Sequence, residues 1–174
     1  MKRFTGMVFE TKNIPIVLIV GKSGSGKTTL LQKLITALGQ RGVRVGTIKH
    51  DVHGFEMDKP GKDSWRHKRA GASTTLISSP RQLGMVMDVD HDHRPGELRR
   101  FFPNVDIILA EGYKREQMPK VEIFRSKVHL EPLCSDDEHL IALITDADID
   151  SRVPRFSLDD VDGLTDFLIE SFDL

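Results

Sequence analysis

Apolar positions along the chain fall into short, unbroken runs separated by stretches of helical periodicity. Ile14 to Val20 is continuous and rich in β-branched residues, with Pro15 at its start, where a missing N–H is tolerable. It reads as a strand buried on both faces. Leu30, Leu31, Leu34, Ile35 and Leu38 then share one helical face, which Gly39 is placed to end. Val43 to Ile48 reads as a second strand, completing a βαβ unit. Polar residues from Lys49 to Lys62, with Pro60-Gly61, predict a loop, and Asp63 or Ser64 is the expected cap of a short helix running to Ala70-Gly71.

Further along, Thr74 to Ser78 and Leu83 to Met87 predict two strands joined near Pro80. Pro95 to Phe102 predicts a helix with proline near its first turn. Val105 to Ala110, Val121 to Phe124 and Leu140 to Ile144 predict strands, and a closing helix is expected from about Asp159 to Ser171. Alternating strands and helices imply an open α/β sheet, parallel at its centre, with antiparallel pairing among the short strands near Leu76, Met85 and Ile123.

Composition narrows the class. The 174 residues are 39% hydrophobic and 29% charged, with a net charge of -1. That is a globular balance, and no global field recruits nucleic acid or anionic membrane. One domain over residues 1–174 is expected. The single cysteine, Cys134, points to a reducing, cytoplasmic setting and reads as a structural thiol. Met1 to Glu10 has no apolar core and does not read as a signal peptide.

The chemistry sits between the first strand and first helix, at Gly21-Lys22-Ser23-Gly24-Ser25-Gly26-Lys27-Thr28, a G-x-x-x-x-G-K-[ST] phosphate loop. Gly21 and Gly26 let the backbone turn tightly. Successive N–H groups, including those at Ser23, Gly24 and Ser25, then form an anion nest at the positive end of the helix. Lys27 reaches the β- and γ-phosphates, the Thr28 hydroxyl ligates Mg²⁺, and Thr29 stands near the α-phosphate. The expected fold is therefore a P-loop NTPase-like, three-layer α/β fold with a mostly parallel sheet.

Ligands of such sheets bind at the carboxyl ends of the strands. Those ends carry Lys49-His50-Asp51, Glu111-Gly112 and Thr145-Asp146. Glu111, after four apolar residues, is the expected acidic partner of Mg²⁺ or of an attacking water. Asp106 competes, but it lies at the opposite end of its strand. Thr145-Asp146-Ala147-Asp148 stands where many GTPases read guanine with N-K-x-D, yet Asp146 replaces the lysine, and an ordinary acidic turn is the alternative. The pairs His50/His53 and His91/His93 suggest metal ligands without a defined ligand spacing. Lys22 is either a solvent-facing cation or resembles the signature lysine of deviant P-loop dimers. Lys49, Lys59, Lys62, Arg66, Lys68 and Arg69 form a basic cluster suited to a polyanion.

These residues together resemble the MobB family of molybdopterin-guanine dinucleotide biosynthesis adapter proteins. The likeness covers nearly the whole chain. It rests on Gly24 to Leu31, Ile48-Lys49-His50, Asp58-Lys59-Pro60-Gly61-Lys62-Asp63-Ser64, Arg69-Ala70-Gly71-Ala72, Glu111-Gly112-Tyr113-Lys114 and Asp162-Gly163-Leu164. Tyr113 departs from an expected phenylalanine. The resemblance implies a GTP-binding, SIMIBI-type homodimer with Mg²⁺. Its expected partner is a MobA-type guanylyltransferase that attaches GMP to molybdopterin. It further implies GTPase activity that is weak at most, with Lys27 and Glu111 as the catalytic pair. Lys49, His50, Asp63 and Asp146 join the cofactor-binding set, and molybdopterin joins the partners that the resemblance implies. A small-molecule kinase, with Asp51 or Asp63 as base, and a metal-insertion GTPase are the competing readings.

Overall fold

The computed structural model describes residues 13–174, so the reading of Met1 to Glu10 lies outside the described residues. The chain divides into two compact units, one built from the residues up to His50 together with Arg94–Leu174, the other from Asp51–His93.

The first unit is a six-stranded sheet. Its strands are β1 (Ile16–Val20), β2 (Val45–Lys49), β5 (Ile107–Glu111), β6 (Lys120–Phe124), β7 (Leu140–Thr145) and β8 (Arg155–Phe156). They lie in the order β2-β5-β1-β6-β7-β8, and every pair is parallel. Parallel strands need crossover connections and are covered on both faces, which is why β1 is buried at all five positions. Alternation sends Val17, Ile19, Ile107, Leu109, Val121 and Ile123 to one face. There they meet Leu30, Leu34 and Leu38 of α1 (Lys27–Gln40) and Leu164 and Leu168 of α4 (Val161–Phe172). Each fully buried Leu or Ile contributes about 1.5–3 kcal/mol relative to exposure. Ile16, Leu18, Ile108 and Ala110 face the other way, under Leu98, Phe102, Met118 and Cys134. That side is covered by α3 (Pro95–Leu98), a 3-10 turn (Arg99–Phe101) and irregular chain.

Local chemistry moves several boundaries. Helix α1 does not end at Gly39. It runs to Gln40 and closes on Gly42, whose φ of 83° is the left-handed value a terminating glycine adopts. The Gly42 N–H donates to the Gly39 carbonyl, and the Val43 N–H donates to that of Leu38. This is a Schellman closure with Val43 tucked into the core. Arg41, beyond the helix, pairs with Asp162 and Asp166 of α4. The helix expected over Pro95 to Phe102 is one α-helical turn followed by the 3-10 turn. Strand β6, expected to favour antiparallel pairing, is parallel and central, next to β1. The two-residue β8 was not expected at all.

The second unit holds α2 (Asp63–Arg69) and the hairpin of β3 (Thr74–Ser78) and β4 (Leu83–Met87), antiparallel with Thr74 opposite Met87 and Ser78 opposite Leu83. Lys62, not Asp63 or Ser64, occupies the N-cap of α2. Lys68 of α2 joins the two elements: its Nζ donates to the Ala72 carbonyl at 2.9 Å and to Asp88 at 2.6 Å. No helix among the described residues is long and apolar enough to cross a membrane.

Candidate functional site

The phosphate loop leaves β1 at the sheet's carboxyl edge and enters α1. Three of its residues sit where only glycine is comfortable: Gly21 at φ 149°, Gly24 at 78° and Gly26 at 99°. At Gly21 space is limiting as well. A Cβ there would lie 2.5 Å from the Ile123 carbonyl oxygen and 2.7 Å from Ser25 Oγ. At Gly26 the backbone angle alone makes the demand, since the nearest atom to a Cβ would be 3.6 Å away. Gly26 is also the N-cap of α1, so it offers no capping side chain, and the first turn contains no carboxylate. Its first N–H groups are therefore left for an external anion.

Lys27, the first residue of the helix, folds back across the loop. Its ammonium donates to the carbonyls of Gly21 at 3.0 Å and Lys22 at 3.1 Å. The ammonium is thus fixed at the loop's mouth. Thr28 and Thr29 follow with exposed side chains, Ser23 and Gly24 are exposed, and Ser25 is fully buried with its hydroxyl unpaired.

Glu111 ends β5, directly opposite Ile19 of β1 on one side and Lys49 of β2 on the other. The carboxylate therefore stands one strand from the phosphate loop at the same edge. Its strand start is sealed differently. Asp106 grips the Arg44 guanidinium in a two-pronged pair at 2.8 and 3.0 Å, which gives it a structural role at the opposite end. Beyond Glu111 the chain turns at Gly112, φ 104°, where a Cβ would lie 2.8 Å from the His50 carbonyl. The His50 N–H donates to the Glu111 carbonyl at 2.9 Å, and the His50 and Tyr113 rings stack with centroids 4.6 Å apart. So Lys49-His50 and Glu111-Gly112-Tyr113 form one joint.

On the other flank, Asp146 follows β7 and accepts the Ser126 N–H at 2.8 Å. That backbone bond is the main cause holding its carboxyl below the ordinary carboxylate range. Ser126 begins a strap that sequence reasoning did not identify. The strap's His129 Nε2 lies 2.9 Å from the Ser23 carbonyl, and Lys22 Nζ donates to the Glu131 carbonyl at 3.1 Å. One buried acid and one buried base of β6 fix it. Glu122 accepts the N–H groups of Leu133 and Cys134, the latter at 2.9 Å, and Lys120 pairs with Asp137 at 2.5 Å. The alternation Lys120, Glu122, Phe124 was the available signal, since it places two charges on one face of a central strand. Burial, followed by the negative Glu122 and Asp137, pushes the Cys134 thiol up to about 11, so it remains protonated and is no nucleophile at neutral pH.

Of the remaining expected site residues, Asp63 is the first residue of α2 and belongs to the Asp51–His93 unit. His91 and His93 stack at 4.1 Å, and His91 Nδ1 lies 2.6 Å from Asp90. Among the described residues, no three His, Cys, Asp or Glu side chains converge as a metal site.

Comparison with known proteins gives a consistent picture. Residues 16–146 match the family model described as MobB: Molybdopterin guanine dinucleotide synthesis protein B. The molybdopterin-guanine dinucleotide biosynthesis adapter protein of Escherichia coli strain K12 is 38% identical over 163 residues, covering 90% of this chain and 93% of that one. The protein of that name from Haemophilus influenzae is 34% identical over 164 residues, covering 93% and 92%. Among solved structures, the crystal structure of Bacillus subtilis MobB superposes with a TM-score of 0.73 at 29% identity, covering 91% of this chain and 98% of that one.

Proposed function

We infer the task of this site from the fact that the chain belongs to the MobB family, the molybdopterin guanine dinucleotide synthesis protein B family. It is an adapter protein of molybdopterin guanine dinucleotide biosynthesis. Its phosphate loop binds GTP with Mg²⁺. Lys27 meets the β- and γ-phosphates, and the N–H groups of the loop and of the first turn of α1 cradle them. The Thr28 hydroxyl and Glu111 would hold Mg²⁺, directly or through water, and the ion would supply positive charge against the phosphates. Glu111 is also the residue placed to orient a water for slow hydrolysis. The partner is a guanylyltransferase that joins GMP to molybdopterin. The SIMIBI class and the homodimer carry over from the resemblance, and the cytoplasmic setting from the lone thiol.

One observation carries this reading. A loop that only glycine can trace at Gly21, Gly24 and Gly26 fixes the Lys27 ammonium at its mouth, one strand from Glu111. The base is tested by titrating labelled GTP and ATP under identical Mg²⁺. Saturable GTP binding, at least about tenfold tighter than ATP, is expected; tenfold corresponds to about 1.4 kcal/mol, within what one charged hydrogen-bond pair to a base supplies. A preference for ATP overturns the assignment.

A further inference from the structure

The strap that follows β6 grips the phosphate loop, and the grip runs in both directions. His129 Nε2 lies 2.9 Å from the Ser23 carbonyl oxygen, and Lys22 Nζ donates to the Glu131 carbonyl at 3.1 Å. A carbonyl oxygen only accepts, so the imidazole donates from Nε2. Val128 stands beside Gly24: a Cβ on that glycine would lie 3.8 Å from Val128 Cγ1. Loop and strap therefore meet along Lys22, Ser23 and Gly24.

Groups outside the loop hold the strap at both ends. The Ser126 N–H donates to Asp146 at 2.8 Å, and the Cys134 N–H donates to the buried Glu122 at 2.9 Å. Between them, the Val128 and His129 N–H groups both donate to the Arg125 carbonyl at 3.0 Å. His129 thus sits on a closed turn, and backbone fixed at the end of β6 delivers its imidazole to the loop.

The consequence for the loop follows from the peptide group. The described residues contain no cis peptide bond, and in a trans peptide the carbonyl and the next N–H point in opposite directions. A donor that holds the Ser23 carbonyl toward the strap therefore turns the Gly24 N–H away from the strap. Gly24, at φ 78°, has no side chain to bias that orientation by itself. Lys27 fixes the two preceding carbonyls, those of Gly21 and Lys22, from its own ammonium. The Ser23–Gly24 peptide is the next in line, and its carbonyl is held by His129 instead. An anion nest needs its N–H groups turned to one side.

We propose that His129 is a positioning residue of the phosphate site: by holding the Ser23 carbonyl, it aims the Gly24 N–H at the phosphates. The proposal rests on the reading of the loop as a nucleotide site. His129 touches no phosphate and acts through the Ser23–Gly24 peptide. A peptide already oriented has less to lose when the anion arrives, so more of its hydrogen bond appears as affinity.

The experiment compares the full wild-type chain with His129→Ala, His129→Gln and Leu130→Ala. Glutamine supplies an N–H donor of similar reach without a ring. Leu130 is fully exposed on the same strap, so its variant reports any general disturbance there. Labelled GTP and inorganic tripolyphosphate, which has no base, are titrated under identical Mg²⁺. His129→Ala should bind both at least about fivefold more weakly, about 1 kcal/mol, the worth of one neutral hydrogen bond. His129→Gln should recover most of that loss, and Leu130→Ala should match the wild type. In the nucleotide-free chains, the Ser23 carbonyl-carbon and Gly24 amide-nitrogen resonances should move in His129→Ala and return toward wild type in His129→Gln. A ring-current effect would not return, because glutamine has no ring. Unchanged affinity for both ligands in His129→Ala overturns the proposal, and so does a glutamine variant as weak as the alanine one. Unmoved Ser23 and Gly24 resonances overturn it without any ligand. A wild-type chain that binds neither ligand overturns the nucleotide reading and this proposal with it, whereas wild-type binding undiminished in His129→Ala overturns the proposal alone.

Discussion

Lys27→Ala should lose GTP binding by about 10²- to 10⁴-fold and still fold. Hydrogen bonds to a charged group contribute about 1.5–3 kcal/mol each, and Lys27 is positioned to make two, to the β- and γ-phosphates. The same ammonium now donates to the carbonyls of Gly21 and Lys22. Those carbonyls lie in a loop open to solvent on its outer side, at Ser23 and Gly24, so water can replace the lost donor. Alanine also favours the first turn of α1 slightly more than lysine does. The cost in stability should stay within about 1–2 kcal/mol. Equilibrium binding of a labelled GTP, beside a urea titration of both proteins, reads the two effects separately. Near-normal affinity in the variant would mean that the nucleotide sits elsewhere.

Asp137→Ala should destabilise the chain by about 3–5 kcal/mol, enough to take a marginal domain close to unfolding. The Lys120 side chain is 3% exposed and has Asp137 as its ion-pair partner. Removing the carboxylate leaves an ammonium buried under the strap. It also takes away the acceptor of the His139 N–H. Replacing both partners together, as Lys120→Met with Asp137→Leu, should recover most of the loss, because an apolar pair needs no compensation. The same pair sets an acid limit. Burial alone would raise the Asp137 pKa, but the Lys120 hydrogen bond and the His139 N–H outweigh it and leave it below the ordinary carboxylate value. A depressed carboxyl stabilises the fold at every pH above its unfolded value, near 4, and loses that contribution as pH falls through the lower folded value. Urea midpoints from pH 7 to 2.5 should therefore differ between wild type and Asp137→Ala at neutral pH and converge at the acid end.

Strand β1, the phosphate loop, α1 and β2 were legible because each carries an independent signal: a continuous apolar run, fixed glycines, and a helical stripe. Strands β3 and β4 fell on the expected residues for the same reason. Strand β6 was harder. Its alternating Lys120 and Glu122 imitate a strand with one wet face, whereas the strap over 126–139 covers that face and pairs both charges. The end of α1 was misplaced because two glycines compete and only backbone angle decides between them. At the site, Lys27, the three glycines and Glu111 could be read from spacing and strand ends. The hold of His129 on Ser23 and of Lys22 on Glu131 could not. Both span more than a hundred residues and end on carbonyls, which leave no trace in side-chain pattern. Asp63 and Lys49, both among the residues that carry the family likeness, fall in different units of the fold.

On the proposed function, nucleotide on this loop serves a guanylyltransferase. Immobilised wild-type and Lys27→Ala chains, each presented with purified guanylyltransferase with and without GTP and Mg²⁺, test it most directly. The expected result is retention of the enzyme by the wild-type chain, strengthened by GTP, with no GTP effect on the Lys27→Ala chain. Failure of the wild-type chain to retain the enzyme under either condition, or equal GTP-dependent retention by both chains, would contradict the account.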